Sequence, residues 1–213
     1  MSESPLSTYA GPIAVIAGGL FAVSHVGQFL FFDPANLVAT TADPAFLFFS
    51  AAYAMTFPLL LIALVALYAR QASQAGLFGA VAFCVALTGT VGLAGDEYFE
   101  GFAAPWAAGV APVLLEVEHG SVLVAAWLAS VVLFAVGWAL FGLVSYRTRA
   151  FPQALCVALM IGGLLGYFGA QPPWGVALGL AVAATGVSLI RHDLTTRRDQ
   201  THPVTEPDAV GHR

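Results

Sequence analysis

Six apolar runs alternate along the chain with short links that carry most of its charge; they occupy residues 12–32, 45–69, 76–95, 120–146, 152–169 and 174–190. None shows the strict two-residue alternation of a half-buried strand, and each exceeds ordinary strand length, so all six are predicted to be helices. At ~1.5 Å per residue, about 20 apolar residues span the ~30 Å hydrocarbon core of a bilayer. Pro12 suits a first helical turn, where its missing N–H is not needed, and Asp33-Pro34 stops the first run. Pro58 falls in the middle of the second run and predicts a kink that neighbouring helices accommodate. The last two runs are short and joined by the tight link AQPPW, which predicts an antiparallel hairpin. Gly162/Gly166 and Gly175/Gly179 carry the small-xxx-small spacing that lets backbones approach.

The links set the orientation. The first eleven residues hold no Lys or Arg and so lack the basic n-region of a cleavable signal peptide. All seven arginines lie in or beside the second link (Arg70), the fourth link (Arg147, Arg149) and the C-terminal tail (Arg191, Arg197, Arg198, Arg213). The positive-inside bias therefore places both termini in the cytoplasm and the acidic third link outside, in a multi-pass protein of the cell membrane. Residues 1–191 form one six-helix domain, and the polar stretch 192–213, without periodic apolar positions, is expected to be an unstructured cytoplasmic tail. Composition agrees. A chain that is 59% hydrophobic and 9% charged, with a mean hydropathy of +0.85, exposes more apolar surface than a soluble domain can bury. Its partner is the lipid bilayer. A net charge of −5 argues against nucleic acid. Cys84 and Cys156 both sit in apolar runs and make neither a CxxC site nor a disulfide framework.

Ionisable groups concentrate in residues 96–120, which hold Asp96, Glu97, Glu100, Glu116, Glu118 and His119. His25, with Gln28 one turn on and Ser24 beside it, lies ~20 Å along the first helix, a depth that converges with these acids in the outer part of the membrane. Intramembrane ionisable residues are costly and usually face the bundle interior or a cavity. Glu97 and Glu100 are three apart, as are Glu116 and His119, so each pair projects from one helical face. A Glu-x-x-His pair beside carboxylates from another helix is a metal-ligand arrangement in helical bundles, making His25, Glu97, Glu100, Glu116 and His119 candidate ligands of a divalent cation. The same positions admit a plainer reading, in which the acids cover a solvated link and His25 is hydrogen-bonded across the bundle. Haem on His25 and His119 is disfavoured because the two do not sit at matched depth. HExxH, GxSxG and Walker motifs are absent. Trp106, Trp127, Trp138 and Trp174, with Tyr98 and Tyr146, read as interface anchors or lipid-facing bulk. The segment AAPWAAGVAPVLL is too apolar for a solvated loop and too short to span, and is expected to form a re-entrant or interfacial lid on the outer side.

The succession LYARQ, the GxxYFExFxxPxxxxxAPxLL stretch from Gly95 to Leu115, the GWxLFG run from Gly137 to Gly142 and the RAFPQAL start of the fifth helix resemble a type of small uncharacterised bacterial six-helix integral membrane protein. The resemblance covers helices two to five and implies a six-helix membrane fold with no activity to carry over. The sequence therefore leads to an all-α polytopic protein whose outer polar cluster binds a cation or a small amphipathic ligand. Two alternatives stand beside that reading. One is an enzyme using Glu100, Glu116 or His119 as acid or base on a lipid or isoprenoid; the other is a proton or cation carrier or accessory subunit.

Overall fold

The computed structural model describes residues 8–33, 35–111, 113, 120–166 and 173–201, with the backbone alone at 37, 38 and 196–201. These residues are helical throughout apart from short connections. Helix α1 is Ala10–Phe31 and ends where Phe32 turns extended, just before Asp33-Pro34. The first link is more ordered than a polar spacer. It contains a one-turn helix α2, Leu37–Ala42, capped by Asn36, whose Oδ1 accepts the Ala39 N–H at 3.1 Å. Asp33 accepts from Ala35 N–H and exchanges two bonds with Thr40 Oγ1, so the link satisfies its own backbone. Asp43 then caps α3 by accepting the Ala45 N–H at 2.7 Å, with Pro44 at the first helical position.

Helix α3, Pro44–Tyr98, joins the second and third apolar runs with no loop between them. The chain reverses at one residue: Gly76 adopts φ 58°, ψ −161°, a region essentially reserved for glycine. The reversal is visible in the packing. Tyr68 and Phe83, fifteen residues apart and so ~22 Å apart on a straight helix, stack with ring centroids 4.3 Å apart. Gly101, just past the far end, lies against the Ser50 carbonyl. The break thus comes at Gly76, while the residues after Arg70, expected as a link, continue the helix. Pro58 keeps helical dihedrals, Gly76 being the internal residue that leaves them.

A π-helical segment Phe99–Ala103 and a short helix α4, Ala104–Val110, follow. Helix α5 is Ser121–Thr148, closed by Arg149 in the left-handed region with Ala150 N–H returning to the Ser145 carbonyl. Helix α6 is Gln153–Leu165 and α7 is Val176–Thr201. Among the described residues four stretches are long and apolar enough to cross a membrane: 10–31, 44–110 (which includes the reversal at Gly76), 121–148 and 176–195; α6 is a shorter apolar helix. Helix α7 runs ten residues past Arg191, where an unstructured tail was expected. Arg70 Nη2 donates to Asp193 Oδ2 at 2.6 Å and holds the extension against α3; residues 202–213 lie outside the described residues.

The helices close a ring in which α1 packs on the first arm of α3, the second arm on α5, α5 on α6, α6 on α7, and α7 back on α1. Glycine allows the closest approaches. A Cβ on Gly18 would strike the α7 backbone at Gly179 and Ala183, and one on Gly89 or Gly137 would strike the opposite backbone across α3 and α5. Gly162 lies against α7 at Leu178, as the small-residue spacing predicts. Gly175 and Gly179, however, face α1. Inside the ring Phe21, Tyr53, Phe57, Phe134 and Trp138 form one aromatic core. Trp138, expected at an interface, is fully buried because its Nε1–H reaches Thr90 Oγ1 at 3.1 Å. Trp106 and Trp174 are exposed as expected.

One end of the ring gathers the arginines. Besides the Arg70–Asp193 pair, Thr148 Oγ1 donates to Gln71 Oε1 at 3.3 Å, and the Arg147 guanidinium lies 5.5 Å over the Phe78 ring. Gly11, near the start of α1, packs on Gly186 and Ile190 at this same end. Asp96, Glu97 and Glu100 stand at the other.

Candidate functional site

Towards the acidic end a layer of polar side chains crosses the apolar ring. His25 comes from the buried face of α1 and is 0% exposed. Its ring meets Tyr53 edge-on with centroids 4.4 Å apart and Phe21 likewise at 5.0 Å. Its Nε2 faces Gly175 so closely that a Cβ there would collide with it. Among the described residues neither imidazole nitrogen has a hydrogen-bond partner. One turn on, Gln28 is buried and its Nε2 donates to Ser50 Oγ at 3.5 Å.

The first arm of α3 supplies Ser50, Tyr53 and Thr56 at helical spacing, all buried. Thr56 Oγ1 donates to the Tyr53 carbonyl at 2.6 Å and is satisfied within its own helix. The second arm supplies Glu97, 3% exposed, with Oε2 buried and without a hydrogen-bond partner among the described residues. Tyr53 sets its buried ring against His25.

Glu97 is buried and Glu100 exposed, Glu100 falling in the π segment that starts at Phe99. Gly101 in that segment brings the two arms of α3 together, a Cβ there lying 3.0 Å from the Ser50 carbonyl oxygen.

Of the five candidate metal ligands, His25, Glu97 and Glu100 are described, and among the described residues no group of three or more His, Cys, Asp or Glu could hold a metal ion. Glu116 and His119, named both as ligands and with Glu100 as acid/base candidates, lie outside the described residues, as does Glu118. The lid segment is described in part. Residues 104–110 form α4, which packs on α2 with Trp106 outward.

Sequence reasoning passed over Ser50, Tyr53 and Gly175. The first two had a legible signal, because Ser50, Tyr53 and Thr56 make a polar stripe three residues apart through an apolar run. Gly175 had none, since its role exists only against His25 on a helix 150 positions away.

Chemically, the layer offers an imidazole able to donate and accept at once, a carboxylate and a phenol. More than nine in ten buried polar groups are hydrogen-bonded, so unpartnered ones call for a reason. No family model, curated protein or solved structure matches the chain.

Proposed function

We propose that this is an integral membrane protein whose outer-half polar layer binds a small cation or amphipathic molecule between α1 and the two arms of α3. The observation that carries the reading is that both His25 nitrogens and Glu97 Oε2 are buried without a hydrogen-bond partner among the described residues. Burying a polar group without a partner costs roughly 1–3 kcal/mol. Two such groups in one layer of a well-packed bundle are better accounted for by a ligand than by stability. Glu97 supplies the acceptor for a cation or for the donor of a head group, His25 the complementary donor or acceptor, and the Gln28–Ser50 pair bounds the layer on the outer side.

The reading includes six crossings in a cell membrane, counting the two arms of α3 separately and α6 as a short span. Both termini and the arginine-rich end are cytoplasmic, and the polar layer faces outward with α4 as part of a lid. The gathering of Arg70, Arg147 and the start of α1 at one end supports it, through the positive-inside rule. Cysteines at Gln74 and Ala108 should be labelled from opposite sides of the membrane, the former from the cytoplasm.

The binding test is thermal stabilisation in nanodiscs against a panel of Na⁺, K⁺, Zn²⁺, Mn²⁺, an alkylamine and a fatty acid. At least one member should raise the midpoint of the parent and fail to raise that of His25→Met. If none shifts the parent, or the shift survives in His25→Met, the reading is wrong.

A further inference from the structure

Helix α7 starts at the polar layer. It begins at Val176 and runs 26 residues, and His25 Nε2 stands in the space that a Cβ on the preceding residue, Gly175, would fill. The ring nitrogen therefore lies directly against the backbone that opens α7. That imidazole is 0% exposed, and among the described residues neither of its nitrogens has a hydrogen-bond partner.

The turn that opens α7 uses its amides unevenly. Val176 N–H donates to the Pro173 carbonyl at 3.0 Å, Ala177 N–H to the Trp174 carbonyl at 3.4 Å and Gly179 N–H to the Gly175 carbonyl at 3.0 Å. Among the described residues the Gly175 N–H, beside His25 Nε2, has no backbone acceptor. The start of a helix carries the equivalent of roughly half a positive charge and points its N–H groups at whatever lies beyond it, which suits an anion. The acids of the layer approach from elsewhere. Asp96 and Glu97 end the second arm of α3, which packs on α5, and Glu100 follows in the π segment, whereas α1 and α7 pack on each other. The arginines gather at the opposite end of the ring, so the start of α7 is a positive pole of the layer that owes nothing to a charged side chain.

We infer that the head group of the ligand is a carboxyl group, one oxygen of which accepts from His25 Nε2–H and from the Gly175 N–H at the start of α7. The inference rests on the proposed function and selects among its ligands. A cation beside His25 would meet the positive end of α7 and two N–H donors, all of the wrong sign. An oxyanion takes all three as partners, and hydrogen bonds to an ionised acceptor are about twice as strong as neutral ones. In its acid form a carboxyl group also carries the O–H that Glu97 Oε2 can accept, so one head group matches both unpartnered side chains. It arrives either on a fatty acid of the outer leaflet or on a small acid from the aqueous phase.

The probes are palmitic acid, sodium acetate and dodecylamine, each added to the full-length protein in phosphatidylcholine nanodiscs. The readouts are the thermal midpoint and the imidazole 15N signals of histidine-labelled protein. The His25 signals are those missing from His25→Met and from His25→Gln, so either variant assigns them. At least one of the two acids should raise the midpoint and move the His25 signals; palmitic acid alone marks the leaflet as the source, and acetate marks the aqueous phase. The apparent Kd should weaken at least about tenfold in His25→Met, through loss of one hydrogen bond to a charged group, and recover in His25→Gln, which keeps an N–H donor. Stabilisation by an acid with the His25 signals unmoved, or with the same Kd in His25→Met, would overturn the inference. The two proposals fail separately. Stabilisation by dodecylamine or a metal cation and by neither acid removes the carboxyl head group alone, whereas no stabilisation by any of these probes removes the proposed function with it.

Discussion

Gly18 and Gly19 are neighbours on α1 whose replacement by alanine should have opposite signs. Gly18 faces α7, and an added methyl would fall inside the van der Waals envelope of the Gly179 carbonyl and the Ala183 nitrogen, both backbone atoms that no rotamer change can move aside. The helices would have to separate along the stripe formed by Gly11, Ala14 and Gly18 against Gly179, Val182 and Gly186. Overpacking of this kind costs about 1–3 kcal/mol, and rigid backbone on both sides puts Gly18→Ala near the upper end. Gly19 meets nothing within 4 Å, so Gly19→Ala removes glycine's helix penalty alone and should stabilise by about 0.5–1 kcal/mol. The two variants, identical in composition, should therefore differ by about 3 kcal/mol. SDS-driven unfolding in mixed micelles, followed by far-UV circular dichroism, measures that gap. Equal stability of the two, or a larger loss at Gly19, would refute the packing of α1 on α7 and with it the placement of His25 against Gly175.

Gly76→Ala should cost about 1–3 kcal/mol in the same assay, because φ 58°, ψ −161° is closed to side chains although nothing lies within 4 Å of the Cβ position; an unchanged midpoint would place the reversal elsewhere. Trp138→Phe and Thr90→Val should each lose about 1 kcal/mol by breaking the buried Nε1–Oγ1 bond, and the double variant should lose less than the sum, a coupling that additive losses would disprove. Arg70→Ala and Asp193→Asn should show a coupling of about 0.5–1 kcal/mol, since the pair is partly exposed. They should also speed proteolysis after Arg191, and cleavage at the parental rate would mean the pair does not hold the end of α7.

Much of the architecture can be read from the chain because hydrocarbon imposes length and apolarity on every crossing segment, and the arginines mark one end by parity alone. The stop at Asp33-Pro34 was equally local, and so was the chemistry of the Asp43-Pro44 cap. Features decided by one dihedral angle or by a distant partner were not legible. The Gln71–Ala75 stretch looks like a polar link, yet its residues are acceptable helix formers, and the turn is made by Gly76 alone. The π turn after Tyr98 leaves no mark in composition. Trp138 looks like an interface anchor until Thr90, 48 positions earlier, supplies its acceptor. Of the site, His25 and Gln28 were found from depth and Glu97 from its place beside an apolar run. Tyr53 and Ser50 were marked only by their three-residue spacing with Thr56, and Gly175 was hidden by being a glycine among 22.

The central claim is that the His25 nitrogens and Glu97 Oε2, without a hydrogen-bond partner among the described residues, are held so for the sake of a ligand, at a cost to stability. The most direct test is the unfolding free energy, in ligand-free micelles, of His25→Met and Glu97→Met, substitutions that keep volume roughly constant and remove the unpartnered polar atoms. Each should be more stable than the parent by about 1–3 kcal/mol, the penalty of a buried unsatisfied group, while losing the ligand-induced stabilisation of the parent. A loss of stability of similar size in both variants would show that the two side chains hold the fold together, and would contradict the account.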